Sequence, residues 1–211
     1  MSSSQADNAG LFIIAAPSGG GKTSLINGLL KQDPRLALSI SHTTRQPRPG
    51  EIDGQHYHFV AEAEFEQMVK NGDFLEHARV FDHFYGTNRK SIAAQLAQGR
   101  DVILDIDWQG ARQVRSEFSG CCLIFIIPPS LESLRQRLTR RGQDSASVIE
   151  RRMRDAQAEI SHWAEFDQLV VNDDFDTALE ELLAIINDHR TRRPHVVNKD
   201  YQRLAQQLGS R

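Results

Sequence analysis

A glycine-rich run between an apolar segment and a helical pattern is the stretch of this sequence best suited to bind an anion. The glycines Gly19–Gly21 follow the apolar residues Leu11 to Ile14 and precede Lys22 and Thr23. Glycines let consecutive backbone N–H groups turn towards one anion, and the positive end of a following helix attracts negative charge to the same point. The run therefore predicts a strand, a phosphate-binding loop and a helix.

The lysine and the hydroxyl residue extend this chemistry to a nucleoside triphosphate with its metal. Lys22 would reach the β- and γ-phosphates, and the Thr23 hydroxyl would bind Mg²⁺. The sequence has Ala16 where the phosphate-loop pattern has glycine, and alanine fits there if its φ stays negative. A chance glycine-rich hairpin is the alternative, which the helical spacing of the next apolar residues disfavours. The predicted triphosphate contacts are Pro17, Ser18, Gly19, Gly20, Gly21, Lys22, Thr23 and Ser24.

Clustered arginines indicate further phosphate chemistry at two other places. Arg45 and Arg48 lie in a proline-containing segment and suit a second phosphate site, because guanidinium groups bind phosphate oxygens in a fork. Phosphoryl transfer also needs positive charge over the transferring group, which favours a mobile flap carrying Arg137, Arg141 and Arg152. Neighbouring arginines that fit an ordinary solvated helix face are Arg140, Arg151 and Arg154.

The elements that must position these groups are strand-like and helical patterns that alternate along most of the chain. This alternation predicts an α/β fold, with a parallel sheet, helices on both faces and ligands at the carboxyl ends of the strands. Two segments break it and predict an inserted small lobe, 41–87, and a short arginine-rich lid, 137–155. The remaining predicted parts are a core (10–40, 88–136 and 156–190), a flexible tail (1–9) and a C-terminal extension (191–211) with no assigned function.

Composition limits the class of protein. The chain has 211 residues, of which 39% are hydrophobic and 25% charged, and this predicts one folded domain. Its formal net charge of −3 gives no general attraction to nucleic acid or to anionic membranes. No apolar run reaches the roughly 20 residues that span a bilayer, and the polar start lacks the pattern of a secretion signal. Cys121 and Cys122 would point to opposite faces of a strand, so we expect no disulfide between them and a cytosolic protein.

Several separate motifs, in order, resemble those of the guanylate kinase family over about residues 10–190. They are S-x-T-T-R-x-P-R-x-G-E from Ser41, F-L-E from Phe74, Y-G-T from Tyr85, L-D-I-D-x-Q-G from Leu104, R-x-x-x-R-G from Arg137 and V-N-D-D from Val171. The resemblance implies Mg²⁺-dependent transfer of the ATP γ-phosphate to GMP, giving ADP and GDP, in purine nucleotide metabolism. It implies no nucleic-acid or membrane partner, and a monomer or homo-oligomer.

The resemblance also assigns roles in GMP binding. The GMP phosphate would be held by Arg45, Arg48, Tyr57 and Tyr85, and the guanine would be faced by Ser41, Glu76, Thr87 and Asp107. The chemistry agrees, because guanine presents N1–H and its 2-amino group as adjacent donors that a carboxylate can accept together, while hydroxyls can donate to O6.

For the donor side, the resemblance implies that Asp105 orients Mg²⁺ or its waters opposite Thr23. Asp105 and Asp107 each have an alternative role as the N-cap of the next helix. Arg137 would stack on adenine, Asn172 would contact its edge, and Arg141 and Arg152 would close on the phosphates. The residues implied in catalysis are thus Lys22, Arg45, Arg141 and Arg152, with no base required.

Two other functions fit parts of this pattern. A related kinase acting on another phosphorylated acceptor, such as a ribosyl phosphate, should lack the guanine-facing set. A non-catalytic scaffold module that binds phosphorylated peptides resembles the lobe but typically loses the triphosphate loop, which is intact here. The lobe histidines match no compact zinc spacing, and Trp108 and Trp163 are expected to be packing residues.

Overall fold

The computed structural model describes residues 9–80, 82–140 and 145–210. These residues form two compact units. The first lies within Met1–Leu11, Arg35–Leu104 and Gln109–Cys121, and the second within Phe12–Pro34, Asp105–Trp108 and Cys122–Arg211. In the described part of the chain, no helix combines the length and the apolarity needed to cross a membrane.

The helices and strands alternate along the chain. In order they are β1 (Leu11–Ala15), α1 (Lys22–Gln32), β2 (Leu36–Leu38), β3 (His42–Thr43), β4 (His58–Phe59), α2 (Glu62–Lys70), β5 (Phe74–Val80), β6 (His83–Asn88), α3 (Arg89–Ala97), β7 (Asp101–Asp105), α4 (Trp108–Glu117), β8 (Cys122–Ile127), α5 (Leu131–Arg140), α6 (Ala146–Ile160), β9 (Gln168–Val171), α7 (Phe175–Arg190) and α8 (Lys199–Gly209). A short 3-10 turn, Trp163–Glu165, precedes β9.

The first unit combines a parallel pair of strands with a small mixed sheet. β2 pairs in parallel with β7, and the small sheet has the strand order β4-β3-β6-β5. β5 and β6 form an antiparallel ladder, against which α2 and α3 pack. The buried Phe65 of α2 lies against Phe74 and Phe84, with ring centroids 4.6 and 5.6 Å away. These aromatic contacts fix α2 on the ladder that carries the guanine-facing candidates.

The second unit contains the strand that leads into the glycine loop. β1 pairs in parallel with β8, and β8 pairs in parallel with β9. Every residue of β1 and β8 is buried, as expected of parallel strands covered on both faces, which therefore read as continuous apolar runs. Phe125 and Leu169 of these strands join Ile160 and Leu208 in one apolar cluster, so α6 and α8 are anchored to the strands.

The prediction of an α/β fold with a parallel sheet flanked by helices is confirmed. The sequence patterns do not predict β6, and they indicate a C-terminal extension that is polar and partly helical. The structure orders that extension as α8, with Ala205 and Leu208 buried. Cys121 and Cys122 are both buried, and no disulfide joins them. The predicted division into core, lobe and lid stays a prediction, and of the predicted tail, residues 1–8 lie outside the described residues.

Candidate active site

The loop between β1 and α1 has the backbone conformation that its glycines predict. Gly19 and Gly21 have φ of 87° and 92°, values that L side chains rarely adopt. The Gly20 N–H donates to the Pro17 carbonyl at 2.8 Å, which closes a tight turn before the helix. Ala16 does not have a positive φ, so the departure from the phosphate-loop pattern is accommodated.

The start of α1 carries no side-chain cap. Gly21 is the N-cap residue, no side chain accepts from the first-turn N–H groups, and no acidic residue lies in that turn. The first turn of a helix leaves N–H groups without partners inside the helix, and the helix dipole adds positive charge there. A glycine turn followed by an uncapped helix is therefore suited to hold phosphate oxygens.

Lys22 is held by the segment that follows β7. Its Nζ lies 2.5 Å from Asp105 Oδ1 and donates to the Ile106 carbonyl at 3.3 Å. Both charged side chains keep some solvent access, with exposed fractions of 21% and 32%. The structure thus brings together the lysine and the carboxylate that the sequence assigns to phosphate and metal. Thr23 and Ser24, the next predicted contacts, are exposed.

Asn172 connects the end of β9 to the loop. Its side-chain Nδ2 donates to the Gly20 carbonyl at 2.7 Å, and its backbone carbonyl accepts from Arg137 Nη2 at 2.7 Å. Within the described part of the chain, the buried Arg137 Nη1 has no hydrogen-bond partner. The predicted adenine-side pair is therefore in contact, and one hydrogen of the Asn172 side-chain amide is used by the loop. Its contact with adenine stays a prediction.

A glutamate that the sequence analysis does not single out also contacts the loop. Glu159 Oε2 accepts from the Ser18 N–H at 3.1 Å. The pKa of Glu159 is raised to about 7, mainly by burial and also by the neighbouring Asp107 and Asp155, although Lys22 and the Ser18 N–H act to lower it. The sequence gives one local indication that Glu159 belongs to the site: it lies seven residues after Arg152, which is two turns along the same face of α6.

In the first unit, Arg45 is held by an acidic partner from the same motif. Arg45 Nη2 lies 2.8 Å from Glu51 Oε1, and Nη1 donates to the Gln46 carbonyl at 2.7 Å. The hydrogen bond to Glu51 raises the pKa of Arg45, and the same bond holds the pKa of Glu51 below its ordinary value. Glu51 Oε2 also accepts from the Arg48 N–H at 2.7 Å, so one carboxylate fixes the turn that presents both predicted phosphate-binding arginines.

The predicted tyrosines gather at Arg45. The guanidinium carbon of Arg45 lies 5.3 Å from the ring centroid of Tyr57, and the rings of Tyr57 and Tyr85 are 5.9 Å apart at an angle of 66°. A hydrogen bond with Tyr85 also contributes to the raised pKa of Arg45. These three predicted phosphate ligands therefore form one cluster.

Glu76 and Thr87 form a buried pair across the β5–β6 ladder. Their exposed fractions are 3% and 0%, and the Thr87 hydroxyl donates to Glu76 Oε1 at 2.5 Å. A carboxylate only accepts, so the Thr87 hydrogen is used in this bond and is not available to guanine O6. Ser41, the other hydroxyl residue that the resemblance assigns to guanine, directly precedes β3, and its bond to O6 stays a prediction.

The remaining predicted residues lie in the second unit or outside the described chain. Asp107 lies two residues after Asp105, and Arg152 lies on α6. Trp108 stacks on His162, with ring centroids 3.6 Å apart and an interplanar angle of 10°, which agrees with its prediction as a packing residue. Arg141 lies outside the described residues.

The oxygen donors near the loop fit Mg²⁺ supplied with a nucleotide. Across the described residues, no group of three or more His, Cys, Asp or Glu side chains could hold a metal ion. Asp105 offers one carboxylate and Thr23 one exposed hydroxyl. Mg²⁺ is typically held in proteins by one or two such oxygens, with phosphate oxygens and water completing its shell.

Comparison with known proteins gives one consistent result. The family model described as guanylate kinase matches residues 8–189. A guanylate kinase of Alkalilimnicola ehrlichii is 59% identical over 185 residues, which cover 87% of this chain and 91% of that protein. A guanylate kinase of Nitrosococcus oceani is 60% identical over 183 residues, covering 87% and 90%. The crystal structure of a guanylate kinase from Anaplasma phagocytophilum superposes with a TM-score of 0.71 at 33% identity, covering 86% of each chain.

Proposed function

The chain belongs to the guanylate kinase family, and on this premise we propose which of its residues carry the reaction. The chain is a GMP kinase that transfers the γ-phosphate of ATP to GMP and releases ADP and GDP. We further propose that it acts in the cytosol in purine nucleotide metabolism, as a monomer or homo-oligomer, without nucleic-acid or membrane partners.

We propose that the loop and the first turn of α1 bind the ATP triphosphate through Pro17, Ser18, Gly19, Gly20, Gly21, Lys22, Thr23 and Ser24. The observation that carries this assignment is the combination of left-handed glycines with an uncapped helix start. Backbone N–H groups and the helix dipole then act on the same anion, and no capping side chain has to move away before the anion binds.

Mg²⁺ would be held by Asp105 and Thr23 together with the nucleotide. The ion would neutralise charge on the β- and γ-phosphate oxygens. Asp105 Oδ1 also lies 2.5 Å from Lys22 Nζ. We infer that ATP binding gives Lys22 phosphate oxygens as new partners, and that Asp105 thereby becomes available to the metal or its waters.

Arg137 and Asn172 would bind the adenine side of ATP. The bond to the Asn172 carbonyl fixes the guanidinium of Arg137, whose buried Nη1 lacks a partner within the described residues. A buried donor without a partner is costly, so a ligand that supplies an acceptor would stabilise it. Asn172 donates to Gly20 and could still accept through Oδ1 from the adenine amino group.

The GMP phosphate would bind Arg45, Arg48, Tyr57 and Tyr85. The clustering of Arg45 with both tyrosines, and the shared carboxylate that fixes the turn between the arginines, support this assignment. A dianionic phosphate competes well with a single carboxylate for a guanidinium, because its oxygens accept in the same forked geometry.

Guanine would be read by Glu76, Ser41, Thr87 and Asp107. Glu76 is nearly inaccessible to water, and the Thr87 hydroxyl donates to its Oε1. As an acceptor, a buried carboxylate selects a base that offers adjacent donors, which guanine has and adenine lacks. Thr87 would support Glu76 rather than donate to O6.

Transfer would then depend on positioning and charge. The acceptor oxygen of GMP attacks the γ-phosphorus of ATP while the bond to the β-phosphate oxygen breaks, and the acceptor proton leaves with no dedicated base required. Lys22, Arg45 and Arg152 would stabilise the charge that develops on the transferring group. Arg141, which lies outside the described residues, is proposed for the same role.

Replacement of Lys22 tests the loop assignment. Lys22→Ala should lower kcat by about 10² to 10³, the usual effect of removing one group that stabilises transition-state charge. GMP binding, measured by calorimetry, should be retained because Lys22 is not among the proposed GMP ligands. Lys31→Ala, at the exposed last turn of the same helix, is the matched control. Near-normal turnover in Lys22→Ala would contradict the assignment.

A further inference from the structure

The last turn of α6 contacts the side of the phosphate loop that precedes its glycines. Glu159 Oε2 accepts from the Ser18 N–H at 3.1 Å, and these residues are 141 positions apart in the chain. Gly19, directly after Ser18, has a positive φ and the conformational freedom of glycine. A bond at Ser18 therefore limits how far the first half of the loop can move.

A second contact restrains the loop two residues further on. Asn172 Nδ2 donates to the Gly20 carbonyl at 2.7 Å. The two contacts differ in kind, because Asn172 holds a carbonyl whereas Glu159 holds an N–H group. Together they restrain Ser18 and Gly20 on either side of Gly19, whose own conformation is the most adaptable in this part of the loop.

The surroundings of Glu159 are unfavourable for a carboxylate without such a contact. Asp107 and Asp155 both oppose its ionisation, and Lys22 is the positive group that favours it. A partly buried acid beside two other acids costs stability, and it adds negative charge close to where a triphosphate would bind. Lys22 and the bond to the Ser18 N–H both compensate for part of this cost.

The end of α6 is itself fixed by the C-terminal extension. A Cβ on Gly209 would lie 3.0 Å from the Cα of Ser161, so α8 packs directly on the backbone that follows α6. Ile160 joins the cluster that contains Leu208. The turn that carries Glu159 is therefore braced by a helix beyond the residues 8–189 that the family model matches.

We propose that Glu159 is a positioning residue for ATP, which holds the Ser18 amide and so keeps the phosphate loop in its binding conformation. This inference rests on the proposed function of the loop. Glu159 makes no direct contact with the nucleotide in this proposal. It acts through the loop backbone, so its loss should weaken ATP binding far more than GMP binding.

The test compares Glu159→Ala with Glu159→Gln in the full chain. Glu159→Ala should raise the KM for ATP roughly 10- to 100-fold, the range expected for loss of a hydrogen bond to a charged group. The KM for GMP should stay within about twofold. Glu159→Gln should restore most of the ATP affinity, because its amide oxygen still accepts from the Ser18 N–H. Glu180→Ala, an exposed glutamate of α7, is the matched control.

Hydrogen exchange of the loop peptide gives a readout besides activity. Exchange at residues 16–20 should be faster in Glu159→Ala than in the wild type or in Glu159→Gln. If Glu159→Ala does not fold, Glu159→Asp takes its place, because it keeps the charge but shortens the reach to Ser18, and it should also raise the KM for ATP.

Three results would overturn the inference. They are an unchanged KM for ATP in a folded variant that lacks the contact, an equal rise in KM for both substrates, and a Glu159→Gln variant as impaired as Glu159→Ala. Failure of the loop assignment is distinguishable, since it would appear as normal activity in Lys22→Ala whatever the behaviour of the Glu159 variants.

Discussion

Replacing Glu159 by glutamine should change how the stability of the protein depends on pH. The pKa of Glu159 is raised from 4.5 to about 7 by burial first, then by its acidic neighbours. The folded chain therefore keeps this proton over a pH range in which the unfolded chain has lost it. Stability decreases with pH wherever the folded state binds more protons, so Glu159 lowers the free energy of unfolding as pH rises from about 4.5 to about 7.

The size of the effect follows from the same values. Below pH 4.5 both states hold the proton and Glu159 carries no ionisation penalty. Above pH 7 the full penalty applies, and the difference between 4.5 and about 7 corresponds to at most about 3 kcal/mol at ~1.4 kcal/mol per pH unit. Glutamine does not ionise, so the Glu159→Gln variant should gain this amount relative to the wild type between pH 4.5 and pH 8.

Urea unfolding of both proteins at pH 4.5, 6 and 8 measures the gain. The comparison between variants cancels the other titrating groups, and Glu180→Gln, an exposed glutamate of α7, should show no comparable pH dependence. A stability difference between Glu159→Gln and the wild type that stays constant across this range would refute the reasoning, as would a difference that falls with rising pH.

Three other substitutions test separate parts of the site. Glu76→Leu should collapse kcat/KM for GMP, because it removes the bonds to guanine. It should also narrow the preference for GMP over AMP, measured in competition assays, because bound AMP no longer leaves a buried carboxylate unpaired. Gly21→Ala should raise the KM for ATP and lower the melting temperature, because the φ of Gly21 is 92° and a Cβ there would lie 2.2 Å from Asn172 Nδ2. Gly72 has a similar φ of 70° but nothing within 4 Å of a Cβ, so Gly72→Ala should cost only about 1 to 2 kcal/mol of stability. Glu51→Ala should raise the KM for GMP several-fold by releasing Arg45, while steady-state kinetics show an unchanged KM for ATP.

Each of these expectations has a clear contrary result. Full preference for GMP in Glu76→Leu would mean that this carboxylate does not read the base. Equal losses of stability in the two glycine variants would mean that the crowding at Gly21 has no effect. A KM for GMP that is unchanged in Glu51→Ala would show that Arg45 does not need its acidic partner to bind the acceptor phosphate.

The phosphate loop was predictable because its determinants are local. Glycines next to one another fix the turn, and Lys22 and Thr23 follow at the start of the helix. In the structure Gly19 and Gly21 have positive φ, and Lys22 contacts Asp105, the residue proposed for the metal. Residue type and spacing are enough in such a case, because the chemistry lies in one short stretch of backbone.

The assignment of Glu76 and Thr87 to one site required the family resemblance. These residues lie on different strands, and the register of the β5–β6 ladder shifts between Phe74 and Glu76. A slip of one residue turns every side chain to the other face of a sheet, and an irregularity of this kind leaves little trace in a hydrophobic pattern. Physical reasoning from the sequence could therefore propose the chemistry of the pair but not its geometry.

The role of Glu159 had no sequence signal of comparable strength. Ser18 and Glu159 meet only through tertiary packing, and a glutamate in a helix with charged neighbours usually indicates a solvated face. The sequence indicates only a polar, partly helical extension and does not give the bounds of α8, because its buried residues Ala205 and Leu208 are few and are stabilised by contacts with distant elements.

Substrate selectivity of the purified wild-type chain is the most direct test of the central claim. Release of ADP would be measured by a coupled assay, with ATP and Mg²⁺, for GMP, dGMP, AMP, UMP and CMP as acceptors. The account predicts turnover of GMP, with kcat/KM for AMP lower by roughly 10⁴ or more, because a site built to bond a substrate group rejects analogues that lack it. Comparable turnover of AMP or of a pyrimidine nucleotide, or no turnover of GMP, would contradict it.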